Sequence, residues 1–100
     1  MPEKETKIIE NEKGQKLGEA EYFNGKLHGI NKIWSQNGSL TQLINYQNGE
    51  LHGTYETWWE NGNKKEVGQF FNGERIGMYR WYTQEGELWK EHTYSEVKGN

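Results

Sequence analysis

The chain repeats itself with a period of 24 residues, and this period limits what it can fold into. The Asn-Gly pairs that begin at residues 24, 48 and 72 mark the period. Other positions keep the same phase as glycines or aromatic residues, namely Gly29, Gly53 and Gly77, Tyr22, Tyr46, Phe70 and Tyr94, and Trp34, Trp58 and Tyr82. A strict period of this length predicts a stack of equal supersecondary units, each contacting mainly its neighbours. Such stacks usually bind a partner along a surface.

The Asn-Gly pairs also predict the kind of unit. Asn-Gly is the strongest short-range signal for a β-hairpin, because both central residues of a type I′ turn need a positive φ. A second series of turns, Asn37-Gly38, Asn61-Gly62 and Glu85-Gly86, falls between the first. We assign the two Asn-Gly pairs of this second series to tight two-residue hairpins. The glycines at 29, 53 and 77 then mark bulges or close backbone approaches.

The segments between the turns have the length of single strands. We predict strands at residues 15–23, 30–36, 39–47, 53–60, 63–71, 77–84 and 87–95, preceded by a short strand at 6–11. Short connections make such a sheet an antiparallel meander in which sequence neighbours pair. The predicted fold is therefore all-β, a single antiparallel meander sheet of about seven or eight strands. Residues 7–95 form the repeat domain, and residues 1–6 and 96–100 are expected to be flexible ends.

Composition argues against several classes of partner. The net charge is −3 and only two arginines are present, whereas a protein that binds nucleic-acid phosphates needs clustered basic residues. Cysteine and aspartate are absent, which excludes disulfides, thiolate zinc sites and Asp-rich calcium loops. No apolar stretch predicts a signal peptide or a membrane span. We expect a cytoplasmic protein that binds neither nucleic acid nor membranes.

Catalytic and metal-binding patterns are not visible. The serines Ser35, Ser39 and Ser95 lie outside any Gly-x-Ser-x-Gly elbow. His28 and His52 should lie two strands apart, about 9–10 Å from each other, which is too far to share one zinc ion. We interpret them as turn histidines that hydrogen-bond the backbone. The sequence therefore predicts a protein that is not an enzyme and that uses no metal or cofactor.

Aromatic residues fall on both faces of the predicted sheet, because successive strand residues point to opposite sides. Trp58 and Trp59 lie on opposite faces, so either one anchors a partner while the other is buried, or both are covered. Exposed Trp and Tyr are preferred anchors of protein interfaces, and nearby Glu residues tune association. The candidate partner-binding residues are aromatic or acidic residues of the central repeats, namely Trp34, Tyr55, Glu56, Trp58, Trp59, Glu60, Tyr79, Trp81 and Tyr82.

Three copies of one phrase resemble the MORN repeat. Residues 22–29 read YFNGKLHG, residues 46–53 read YQNGELHG and residues 70–77 read FFNGERIG. The segments WSQNG at 34–38 and WWENG at 58–62 resemble the bacterial variant that is typical of YwqK-type antitoxin proteins. The resemblance covers residues 15–95, and the third copy departs from it at Ile76 and Glu85.

The resemblance implies a protein-binding repeat module. Its specific implication is a bacterial antitoxin or immunity protein that neutralises a cognate toxin by occluding it. The alternative is a scaffold or adaptor protein of MORN repeats with no toxin partner, which self-associates through its sheet edges. Eukaryotic MORN proteins are often linked to membranes through basic surfaces, and this acidic chain lacks them.

Overall fold

The protein is described by a computed structural model that covers residues 3–95, and the regular elements of this range are all β-strands. The strands are β1 (Lys4–Glu10), β2 (Lys16–Phe23), β3 (Lys26–Trp34), β4 (Leu40–Gln47), β5 (Glu50–Trp58), β6 (Lys64–Phe71), β7 (Glu74–Tyr82) and β8 (Leu88–Tyr94). They form one sheet whose spatial order is the chain order, and each pairs antiparallel with its sequence neighbours. The predicted antiparallel meander is confirmed.

Three strands start earlier than predicted. β3, β5 and β7 begin directly after the Asn-Gly turns, rather than at residues 30, 53 and 77. The reason is that each two-residue turn brings its flanking residues into register at once, as in the pair Phe23 and Lys26. The glycine segments that we treated as connections therefore belong to the strands.

β1 also starts earlier than predicted, at Lys4. Its first residue pairs with Phe23, and Glu3 and Asn24 exchange two hydrogen bonds just before it. The Glu3 N–H donates to Asn24 Oδ1 at 2.9 Å, and the Asn24 N–H donates to the Glu3 carbonyl at 2.8 Å. Residues 4–6 are therefore part of the sheet rather than of a flexible end. The remaining residues assigned to flexible ends, 1, 2 and 96–100, lie outside the described residues.

The tight hairpins are at the first series of Asn-Gly pairs, and our assignment of the second series was wrong. Asn24, Asn48 and Asn72 have φ of 50°, 50° and 47°, and each precedes a glycine with positive φ, as a type I′ turn requires. Asn37 and Asn61 lack a positive φ.

The second series consists of three-residue loops. At the first of them, the Ser35 N–H donates to the Ser39 carbonyl at 2.8 Å, and the Gly38 N–H donates to the Ser35 carbonyl at 3.0 Å. This is a type I turn followed by a left-handed glycine. The Asn37 side chain accepts from the Ser39 N–H at 2.9 Å, so it serves as an acceptor rather than as a left-handed residue. The same backbone bonds recur at residues 11–15, 59–63 and 83–87.

The predicted bulges are present at the third glycine series. Gly29, Gly53 and Gly77 have φ of 111°, 100° and 67°, and the register shifts beside each of them. In the first bulge, residues 28–30 lie opposite Glu21 alone. The Glu21 carboxylate accepts from the Ile30 N–H at 2.7 Å, which replaces a backbone bond that the bulge removes.

The core lies on one face of a single layer that measures 41 × 38 × 9 Å. Cross-strand pairing puts all the buried residues of the described range on that face, namely Gly18, Ile44, Thr57, Gly68 and Tyr79. We call it the Tyr79 face. The opposite side, which carries Glu56 and Trp58, is the Trp58 face.

The side chains that lie in one row across the Tyr79 face differ widely in size. One row runs through paired residues of all eight strands, namely Lys7, Ala20, Asn31, Ile44, Tyr55, Gly68, Tyr79 and His92. Gly68 leaves room for its neighbour: a Cβ there would lie 2.8 Å from Cγ of the Tyr79 ring and closer still to Cδ2. The Tyr79 ring therefore lies directly over Gly68 and occupies the space that a side chain would need.

This contact predicts that alanine substitutions at two glycines of the same face have different effects on stability. Gly68→Ala should lower the free energy of unfolding by about 1–3 kcal/mol, because the new methyl overlaps a fully buried ring. Gly18→Ala is the matched control, since a Cβ there meets Ile9 carbons at an ordinary 3.7 Å. It should be neutral or stabilising by up to about 1 kcal/mol. Urea denaturation of both variants checks this, and equal effects on the free energy of unfolding would contradict the close packing of Tyr79 on Gly68.

Candidate functional site

Four candidate residues share the Trp58 face. Trp34, Trp58 and Tyr82 occupy equivalent positions at the ends of β3, β5 and β7, and Glu56 lies two residues before Trp58. The three rings are two strands apart, which spaces them by about 10 Å along a row. All three are half-buried, so each has a body held by the sheet and a surface that a partner can contact.

Three other candidate residues lie on the opposite face and form a core cluster. The Tyr79 ring centroid is 6.3 Å from that of Tyr55 and 4.7 Å from that of Trp81. Phe70 and Tyr94 complete the cluster, at 6.2 and 6.0 Å from Tyr79. Tyr79 is 0% exposed, so no partner can reach it. Its place among the partner-binding candidates is corrected, because the surrounding rings make it the centre of the core.

Two tyrosines of this cluster, Tyr79 and Tyr55, have raised pKa values. Burial raises the pKa of Tyr79, and the nearby Glu66 carboxylate raises it further. The same two causes raise the pKa of Tyr55. The Tyr79 hydroxyl donates to Glu66 Oε1 at 3.2 Å, which satisfies the one polar group of the buried ring.

Arg75 covers the cluster, and sequence reasoning missed this role. Its guanidinium carbon lies 4.7 Å from the Tyr79 ring centroid, 5.7 Å from that of Tyr94 and 6.0 Å from that of Trp81. A cation over several ring faces is attracted by their quadrupoles. The equivalent positions of the earlier repeats hold Leu27 and Leu51, so this departure from the repeat was the signal in the sequence.

Lysines shield other rings of the sheet in the same way. Lys7 Nζ lies 4.7 Å from the Tyr22 ring centroid, and Lys90 Nζ lies 5.2 Å from that of Trp81. Both of these ring faces belong to the Tyr79 face. Cations therefore cover part of the Tyr79 face in addition to its core.

Trp59 and Glu60 belong to the turn that follows β5. The Trp59 indole N–H donates to the Tyr82 carbonyl at 3.2 Å, and Lys65 Nζ lies 4.7 Å from its ring centroid. Trp59 thus ties this turn to β7. Trp58 and Trp59 are both half-buried, so the alternative in which one of them is fully buried is wrong. Glu60 is exposed in the turn.

Large exposed apolar side chains are more numerous on the Trp58 face. Pairing places four of them there, Ile8, Ile30, Phe71 and Met78, and two on the Tyr79 face, Ile9 and Ile33. Two more lie at the start of β8, Leu88 and Trp89. The Trp58 face thus combines half-buried aromatic rings with uncovered apolar area, a composition that marks protein interfaces.

The interpretation of the turn histidines is confirmed. His28 Nδ1 accepts from the Asn48 N–H at 3.2 Å, and His52 Nδ1 accepts from the Asn72 N–H at 3.3 Å. Each histidine therefore binds the type I′ turn of the next repeat. Within residues 3–95, no group of three potential ligands among His, Cys, Asp and Glu could hold a metal ion. The same range contains no helix long and apolar enough to cross a membrane.

Comparison with known proteins identifies the repeat. No curated protein and no solved structure is significantly similar to the chain. A family model described as "MORN repeat variant" matches residues 27–48 and 51–72. Each match spans one strand pair joined by a three-residue loop, β3 with β4 and β5 with β6. The chain therefore contains two repeats of this MORN variant, and such repeats generally serve as protein-binding modules.

Proposed function

We propose that the protein is a cytoplasmic antitoxin or immunity protein of bacterial type, which binds a cognate toxin on its Trp58 face and occludes it. The observation that supports this surface most strongly is the one-sided core. All buried residues of the described range lie on the Tyr79 face, while Phe71 and Met78 on the other side stay 37% and 44% exposed. A face that is apolar but not used for folding is available to a partner.

The proposed mechanism is steric. Trp34, Trp58 and Tyr82 supply rigid aromatic anchors across three repeats, and interface energy usually concentrates in such residues. A sheet of 41 × 38 Å is larger than the ~800 Å² per partner that a standard interface buries. A plate of this size can cover the substrate-binding surface of a small toxin without any catalytic group, metal or cofactor.

Charge favours a basic partner. The net charge is −3, and Glu56 and Glu60 lie beside the Trp58 anchor and in the turn that follows it. Acidic residues at the rim of an interface raise the association rate of a basic protein and make it depend on salt. Toxins that act on nucleic acids or membranes carry basic surfaces for the same electrostatic reason.

The test is a growth assay with a captured partner. The chain is used to isolate binding proteins from its source cell, and each is then expressed alone and together with the chain. We expect one captured protein to arrest growth alone and the chain to restore growth. A partner that binds but is harmless would overturn the antitoxin proposal while keeping the protein-binding role.

A scaffold that associates through its sheet edges is the second candidate, and the edge strands favour it. In the described range, the outer sides of β1 and β8 pair with no other strand. These strands carry exposed apolar residues, with Ile9 at 65% and Trp89 at 68%. Because the number of strands is even, β1 and β8 run in opposite directions, so a translated copy can add antiparallel. Oligomers of the wild type that Trp89→Lys abolishes would support this candidate, and a concentration-independent monomer would contradict it.

A further inference from the structure

The chain has five Asn-Gly pairs, and one of them differs from the others in the hydrogen bonding of its glycine N–H. In four pairs the glycine N–H donates to a backbone carbonyl: Gly38 to Ser35 at 3.0 Å, Gly49 to Leu27 at 2.8 Å, Gly62 to Trp59 at 2.9 Å, and Gly73 to Leu51 at 2.8 Å. The fifth pair is Asn24-Gly25. The glycine N–H of this pair has no partner among residues 3–95.

The position of Gly25 in the repeat explains why its N–H differs from the other four. The carbonyl that corresponds to those of Leu27 and Leu51 is the Glu3 carbonyl, one period earlier. This carbonyl accepts the Asn24 N–H at 2.8 Å instead of the glycine N–H. In the later repeats the asparagine N–H is bound by a histidine, and the residue at the corresponding position of β1 is Lys4, which has no acceptor.

Asn-Gly pairs are chemically reactive because the glycine nitrogen can attack the asparagine side-chain carbon. The attack forms a cyclic imide and releases ammonia, and water then opens the imide to aspartate or isoaspartate. Glycine permits the attack because it has no side chain to obstruct it. The nitrogen must first lose its proton and turn toward the amide, and a hydrogen bond from this N–H to a carbonyl opposes both changes.

The side-chain amide of Asn24 is also activated by a hydrogen bond. Asn24 Oδ1 accepts a hydrogen bond from the Glu3 N–H at 2.9 Å. A donor on this oxygen draws electron density from the amide carbon, and therefore makes the carbon a better target. Among residues 3–95, the amide oxygens of Asn48 and Asn72 accept no such bond.

We propose that Asn24 is a site of spontaneous deamidation and that hydrogen bonds of the glycine N–H protect the other four Asn-Gly pairs. One water is consumed and one ammonia is released for each residue converted. The product places a carboxylate in a chain that contains no aspartate. Isoaspartate also adds a methylene to the backbone, which a type I′ turn cannot accommodate, so it opens the turn between β2 and β3 and releases the start of β1.

The test is peptide mapping by mass spectrometry of the folded wild-type chain during incubation in mildly alkaline buffer. We expect the acid at residue 24 to accumulate at least several-fold faster than at residues 48 and 72, which lie in turns of the same type. The control is the same chain in concentrated urea, where all five pairs should react at similar rates. Conversion of Asn48 or Asn72 as fast as that of Asn24 in the folded chain would overturn the proposal.

Hydrogen exchange separates this cause from fraying of the edge. The Asn24 N–H is bonded and should exchange slowly, whereas the neighbouring Gly25 N–H should exchange fast. The Gly49 and Gly73 N–H groups should be protected. Equal and fast exchange at Asn24 and Gly25 would show that local opening, rather than the missing bond, sets the rate, and the proposal would fail.

Discussion

Tyr79→Ala is expected to lower the free energy of unfolding by about 3–5 kcal/mol, the range found when large buried aromatic side chains are truncated. Tyr79 is 0% exposed, touches four other rings and lies under the Arg75 guanidinium. A small domain has only about 5–15 kcal/mol of stability in total, so this variant should be close to unfolding. The measurement is a urea melt followed by tryptophan fluorescence.

Two variants serve as controls for this prediction. Tyr22→Ala removes a half-buried ring from the same face and should cost clearly less. Tyr79→Phe keeps the ring and loses only the bond to Glu66, so it should cost about 0.5–3 kcal/mol. A melt of Tyr79→Ala that matches that of Tyr22→Ala would show that the cluster is not the core.

Trp58→Ala is expected to weaken partner binding by at least ~2 kcal/mol, which is the effect of a central hot-spot residue. The fold should remain largely intact, because Trp58 is half-buried and the core lies on the other face. Trp81→Ala is the matched control, since it removes the same side chain from the Tyr79 face. It should lower stability and leave the affinity of the folded fraction unchanged.

Calorimetric affinities and thermal melts of both tryptophan variants decide which face binds. The proposed arrangement requires that only Trp58→Ala loses affinity at a temperature where both variants are folded. The reverse pattern would place the interface on the Tyr79 face. Loss of affinity in neither variant would move the search to the edge strands β1 and β8.

The sequence predicted the sheet because its period is preserved at turns and aromatic positions together. The kinds of turn were harder to predict. Asparagine suits a type I′ turn through its tolerance of positive φ, as at Asn48, and it suits the longer loop through its side-chain oxygen, as at Asn37. Which use applies depends on the residue pair that closes the loop, and an Asn-Gly pair alone does not contain this information.

The candidate site could be predicted only in part for a similar reason. Alternation along a strand correctly separates Trp58 from Tyr55, but it does not say which side is buried. Burial of Tyr79 depends on two residues. Gly68 lies under the ring on the neighbouring strand β6, and Arg75, near the start of β7, covers the ring with its guanidinium group. Neither relation follows from alternation: the Gly68 contact depends on the bulge between β6 and β7, and Arg75 is marked in the sequence only by its departure from the repeat.

The uneven row on the Tyr79 face has a consequence for how the chain acquires its structure. The aromatic contacts join β5, β6, β7 and β8, whereas β2 and β3 offer only Ala20 and Asn31 at the corresponding positions. Strands pair only with sequence neighbours, so growth from one hairpin to the next closes only short loops. We expect the nucleus to form around Tyr79 and the sheet to grow toward β1. Ribosomes release the chain in the opposite order, from the N-terminus. The early strands therefore have no stable sheet to pair with until β7 has emerged.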